Sequence, residues 1–128
     1  MSLILDAGAL SALTSQRARL QELRRRGLWP PEVPSVVLAE ALTGDHRRDF
    51  HENRLLRTCR IRPVDELQAR HAALLRTATG RAGTISAVDA VVAAAADATR
   101  EGIILTSDPD DLRDLAAHGT HPITIVRV

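Results

Sequence analysis

Lysine is absent from this chain: all 17 basic residues are arginine. Schiff-base chemistry, a phosphate-loop lysine and a catalytic lysine are thereby excluded. Tyrosine is missing too, and Trp29 and Phe50 are the only aromatic residues. The core must therefore be aliphatic, and nucleic-acid binding by base stacking has almost nothing to work with. The lone cysteine, Cys59, cannot close an internal disulfide. No apolar run approaches the roughly 20 residues needed to cross a bilayer, and the longest candidate is cut by Asp89 and Asp97. The chain opens directly into Leu3-Ile4-Leu5 with no signal-peptide pattern, so a cytosolic location is expected.

What is present points to one domain spanning residues 1–128, a length sufficient for a single core and too short for two. Apolar residues make up 45% of the chain, enough to fill that core, and charged residues 26%, enough to solvate its surface. The exclusive use of arginine reflects either a GC-rich genome or phosphate contacts, where the planar guanidinium fork suits the oxygens.

Strand and helix patterns alternate along the chain. Leu3–Leu5 reads as a buried strand ending at Asp6. Residues 9–26 read as one helix through Leu10, Leu13, Leu20 and Leu23, stopped by Gly27 and Pro30-Pro31. Residues 32–37 form a short strand candidate, 37–43 a helix, 45–58 a charged helix and 60–64 a brief edge strand. Helices follow over 65–79 and 86–100, with a loop at 80–83 between them. Ile103-Ile104-Leu105 is a buried strand ending at Thr106-Ser107-Asp108; a helix over 110–118 and a strand over 123–128 complete the chain. Strands that are apolar on both faces and separated by helices predict a three-layer α/β/α sandwich on a short, mainly parallel sheet.

In such sheets, ligands bind beyond the carboxyl ends of the strands. Asp6 and Asp108 stand there, while Glu40 and Asp89 interrupt apolar helical stretches with no arginine within three residues. Acids buried without a partner would be costly or would protonate, and a divalent cation would compensate them. Each acid also has a plainer reading. Asp108 could cap a helix that starts at Pro109, and Asp89 could be the third residue of a capping box with Ser86. Asp6 could serve a turn before Gly8, and Glu40 could reach solvent or a distant arginine. Taken together, the four suggest a site for Mg²⁺ or Mn²⁺ that activates water on a phosphodiester. No other nucleophile is assembled: Cys59 sits at a charged helix end, and histidines 46, 51, 71, 118 and 121 lack zinc-type spacing.

Four segments carry a resemblance: Leu3-Ile4-Leu5-Asp6-Ala7, Pro34 through Ala41, Val88-Asp89-Ala90, and Ile104 through Leu112. Their order and spacing resemble the PIN-domain nucleases, in particular the VapC-type toxins of bacterial toxin–antitoxin modules, over essentially the whole chain. The resemblance implies that Asp6, Glu40, Asp89 and Asp108 ligate Mg²⁺ or Mn²⁺, with Asp111, or else Asp110, adding a contact and Ser107 bonding a carboxylate or the phosphate. It also implies cleavage of structured RNA such as tRNA or rRNA, a small antitoxin that occludes the site, and a homodimer. One departure stands out: relatives often carry a hydroxyl or amide residue two positions after the first acid, where this chain has Gly8.

Arg24, Arg25 and Arg26, and the group Arg47, Arg48, Arg54 and Arg57, are candidate RNA or partner contacts, or else a solvated helix face. A receiver-like or phosphatase-like domain is the competing enzyme class, but it needs a second acid beside Asp6 and a lysine. A non-catalytic PIN-like binding module or a housekeeping RNA-processing nuclease would fit the same residues.

Overall fold

Runs of Leu, Ile and Val that admit no polar side chain become the central strands. The computed structural model describes every residue from Met1 to Val128. Strand β1 (Ser2–Leu5) is followed by helices α1 (Ala7–Leu13) and α2 (Arg17–Arg25), then β2 (Glu32–Pro34), α3 (Val37–Ala41), α4 (Phe50–Leu56) and β3 (Arg60–Arg62). Helices α5 (Glu66–Ala78) and α6 (Ala87–Asp97) lead to β4 (Gly102–Thr106), α7 (Pro109–Ala116) and β5 (Ile123–Arg127). The sheet order is β3-β2-β1-β4-β5 and every pairing is parallel. Helices α2, α3 and α4 gather around α1 on one face, and α5, α6 and α7 pack together on the other. This is the α/β/α sandwich expected from the sequence.

The chain leaves β1 toward β2 and β3, then returns to lay β4 on the other side of β1. That reversal puts a switch point at the carboxyl ends of β1 and β4, the general ligand position in open parallel sheets. Leu3 to Leu5 lie opposite Ile103 to Leu105 in this central pair. Around it, α6 buries Ala90 through Asp97 without a break, its small alanines letting it lie close to β1, β4 and α5.

Two predicted helices differ from the structure. Residues 9–26 form two helices, because the Thr14 and Ser15 hydroxyls donate to the carbonyls of Ser11 and Ala12 and end α1 there. The charged helix starts at Phe50 rather than Asp45. Before it, the buried Asp49 carboxylate accepts the backbone N–H groups of Thr43 and Gly44, and Gly44 takes a left-handed conformation (φ +88°). These bonds hold Asp49 below the usual carboxylate range, led by the Thr43 backbone contact. No helix is long and apolar enough to cross a membrane.

The amino edge of the sheet is fastened by Asp97, whose side chain is fully buried. It accepts from His71 Nε2 on α5 at 2.6 Å, from the His121 N–H at 2.8 Å and from the Thr120 hydroxyl at 3.2 Å. Burial alone would raise its pKa, but the His121 and Thr120 backbone contacts, with His71 and the Thr120 hydroxyl, outweigh it and hold Asp97 below its ordinary value. A depressed carboxylate contributes stability that is present above the ordinary value and lost as pH falls through the lower folded one. Asp97→Asn is expected to cost about 2–4 kcal/mol in urea unfolding at neutral pH. Its penalty should shrink below about pH 4; a neutral substitution would overturn the role assigned to Asp97.

Candidate active site

The carboxyl edge is built from Asp6 outward. Asp6 leaves β1 in an extended conformation and caps α1, its Oδ1 accepting the Ala9 N–H at 2.8 Å. Its Oδ2 accepts the hydroxyl of Thr106 at the end of β4. The same Thr106 oxygen accepts the Asp108 N–H at 3.0 Å, so one hydroxyl ties both strand-end acids together. Burial pushes the Asp6 carboxyl up; the Thr106 and Ala9 bonds oppose this, and the Asp108 charge adds to it.

Asp89 lies in the first turn of α6, whose N-cap Ser86 accepts the Asp89 N–H at 3.0 Å. The capping geometry is therefore present, yet it does not satisfy the carboxylate. Burial, followed by the charges of Asp6, Glu40 and Asp111, pushes Asp89 up to about 6 against the Ser86 hydroxyl. Asp108 occupies the N-cap position of α7, with Pro109 opening the helix, but its side chain makes no cap bond.

Glu40 departs from the expectation. It is not stranded among apolar neighbours but exposed, because α3 is a single short turn of helix that turns Ala39 and Glu40 to solvent. Its charge still reaches Asp89. Asp111 pairs with Arg81 at 2.8 Å, and Arg81 also holds Asp114 at 2.9 Å. Asp110 is exposed and only 3.6 Å from Arg113. None of Asp6, Glu40, Asp89 and Asp108 has an arginine or histidine within ion-pair distance.

These acids share one edge and repel one another, but no three of them are drawn tightly enough to form a ready-made ligand group. The donor chemistry fits a hard divalent cation: carboxylate oxygens, no competing cation on four of them, and two pKa values raised partly by mutual charge. A thiol mechanism has no support, since burial pushes Cys59 up to about 11.

The glycine at position 8 has a steric cause. A Cβ there would overlap the Ser107 hydroxyl and lie 3.0 Å from its Cβ, so the β4–α7 loop rests directly on the first turn of α1. Sequence reasoning gave no role to Thr106 or Arg81 and did not pair Gly8 with Ser107. Thr106 was visible as a hydroxyl at a strand end, but its partner lies 100 positions earlier.

Among the candidate contact arginines, Arg24 stands 5.7 Å over the Trp29 ring and Arg25 pairs with Glu22 at 2.5 Å. Arg26 is exposed at the end of α2, and Arg47 and Arg48 lie in a turn whose N–H groups meet Asp45. Arg17, Arg24 and Arg54 line a groove of about 460 Å³ between α2 and α4 that contains none of the site acids.

Because Asp89 has a raised folded pKa, its ionisation costs stability as pH rises through about 6. Asp89→Asn is expected to raise the Tm of the metal-free protein by about 3–5 °C at neutral pH. This corresponds to about 1 kcal/mol after discounting for partial exposure, and the gain should vanish near pH 4. Mn²⁺ should stabilise the original protein and not this variant; equal shifts in both would remove Asp89 from the metal set. Gly8→Ala is expected to cost about 1–3 kcal/mol by overpacking, with most of the loss recovered in Gly8→Ala/Ser107→Gly. An unrecovered loss would show that Ser107 is not the obstacle.

The PIN domain family matches residues 3–117. No curated protein matches the sequence. Among solved structures, a chain of VapBC2 from Rickettsia felis, bound to a DNA fragment from its promoter, superposes with a TM-score of 0.72 at 15% identity, covering 100% of this chain and 99% of that one. A chain of DNA-bound VapBC from Salmonella typhimurium gives 0.73 at 16%, covering 99% and 98%. A chain of FitAcB from Neisseria gonorrhoeae gives 0.67 at 22%, covering 95% and 96%. At these identities the structural likeness speaks for the fold, and the family match over nearly the whole length settles membership: the chain belongs to the PIN domain family.

Proposed function

We propose that this chain is a metal-dependent endoribonuclease and the toxin of a toxin–antitoxin pair, residues 1–128 acting as one catalytic domain. The observation that carries the reading is the set of four carboxylates without basic partners at the switch point of the sheet, one of them pushed up to about 6. PIN domains are generally nucleases, which agrees with that chemistry. Asp6, Glu40, Asp89 and Asp108 would hold Mg²⁺ or Mn²⁺, with Asp111 joining once it leaves Arg81. Such an ion, when bound, activates water and steadies the leaving oxygen of the phosphodiester.

The chain's own residues supply the geometry. Ala9 and Thr106 fix the Asp6 carboxylate from two sides, and Thr106 sets the distance from Asp6 to Asp108 through the Asp108 N–H. Ser86 keeps Asp89 at the head of α6. The substrate class is structured RNA such as tRNA or rRNA, met in the cytoplasm. An antitoxin partner is supported by the similar structures, which are toxin–antitoxin complexes. A small protein inserting a basic side chain among unpaired acids would neutralise them as a cation does. A homodimer would have exposed apolar side chains to cover, among them Leu67 and Leu74 on α5, which are 79% and 69% exposed.

The test is cleavage of tRNA and rRNA by purified protein with Mg²⁺ or Mn²⁺. Chelation should abolish it, and Asp6→Asn and Asp89→Asn should each lower it about a hundredfold or more. Undiminished cleavage in both variants would overturn the carboxylate mechanism.

A further inference from the structure

Besides Arg76, which donates to the Ile85 carbonyl just before α6, two arginines at the carboxyl edge have no acid to neutralise them. Arg127 is the last residue of β5 and lies in register with Thr106, the residue that holds Asp6. Its Nη1 donates to the Ser107 carbonyl at 3.2 Å, one residue before Asp108. Arg19 on α2 donates from Nη2 to the Arg127 carbonyl at 3.1 Å. Neither guanidinium has a carboxylate within ion-pair distance, although acids are plentiful on this edge. Arg81, by contrast, is committed to Asp111 and Asp114.

Of the five N–H donors on each guanidinium, the structure spends one on a backbone carbonyl. That contact anchors the group beside the carboxylate site without discharging it. Arg127 is exposed and Arg19 half-buried. Two anchored, unneutralised guanidinium groups, one on the Ser107 carbonyl and one on the Arg127 carbonyl, suit a ligand that brings its own negative charge and oxygen acceptors.

We propose that Arg127, backed by Arg19, forms a phosphate subsite that grips the RNA backbone where it passes the β4–α7 loop. The inference rests on the ribonuclease reading. It assigns to these two residues the register of the strand against Asp6 and Asp108, which carries no base information. With almost no aromatic side chains for stacking, ionic contacts of this kind must supply much of the affinity.

The experiment uses Asp89→Asn as a non-cutting parent and a labelled RNA hairpin, with binding followed by fluorescence anisotropy across a salt series in Mg²⁺. Adding Arg127→Gln should weaken binding about fivefold to eightfold at 0.1 M salt and flatten the log–log salt slope by about one, the effect of losing one phosphate contact. Arg127→Lys should retain the slope, and Arg100→Gln, which removes a charge beyond the far end of α6, should change neither quantity. Unchanged affinity and slope in Arg127→Gln, with the parent binding, would overturn the subsite and leave the pair to a protein partner. Equal weakening by Arg100→Gln would reduce it to a general charge effect. No RNA binding by either this parent or the original chain would remove the ribonuclease reading itself.

Discussion

The hydroxyl of Thr106 joins the fold to its chemistry: it donates to Asp6 at the end of β1 and accepts from the Asp108 backbone at the start of α7. Asp6 spends its other oxygen on the first turn of α1. Two segments 100 positions apart in sequence, β1–α1 and β4–α7, thus meet through one hydroxyl, at the point where the sheet reverses direction. Moving β4 by one residue against β1 would turn Thr106 to the opposite face, break the link and part the two acids. The aliphatic pairing of Leu3 to Leu5 with Ile103 to Leu105 sets this register, so ordinary core packing decides where the carboxylates stand.

That placement works against stability. Asp6 and Asp89 are both raised by burial and by neighbouring acids, and the charge that should offset them is not supplied by the chain. Arg81 holds Asp111 and Asp114 instead. The site thus keeps four oxygen-donor groups free of internal cations, an arrangement in which anything positive that binds is repaid by relief of repulsion. On the proposed reading, a metal ion and a basic side chain from a partner protein would answer the same deficit and compete for the same edge.

Most of the architecture was legible because the central strands are aliphatic runs with no polar alternative and the helices between them are bounded by Gly and Pro. The break between α1 and α2 was not, since Leu10, Leu13, Leu20 and Leu23 keep a helical period straight through Thr14 and Ser15, whose hydroxyls end the helix locally. The turn before α4 was hidden for a similar reason: Asp49 reads as a surface acid until it folds back on Thr43 and Gly44. In the candidate site, the strand-end positions of Asp6 and Asp108 and the partial burial of Asp89 were legible from their neighbours. The same logic misjudged Glu40, because α3 is too short to bury it. The partnerships of Thr106, Arg81 and Ser107 span 100, 30 and 99 positions, and nothing local announces a contact at that range.

Burial alone does not mark the candidate site acids; the contrast between the two ends of the sheet does. Asp97 at the amino edge has a fully buried side chain, yet its carboxylate is held below its ordinary value because the Thr120–His121 backbone, a histidine and a hydroxyl are all turned toward it. Asp89 at the carboxyl edge is only partly buried, yet it is pushed up to about 6 because its neighbours are acids and its one helper is Ser86. The same side chain in one molecule thus shifts in opposite directions according to what faces it. At Asp97 the chain has completed the electrostatics itself and the result is a fastening between α5, α6 and the approach to β5. At Asp6 and Asp89 it has left them incomplete while ordering the backbone around them. Binding from outside is needed only where that completion is missing, and the incomplete edge is the one where the sheet reverses.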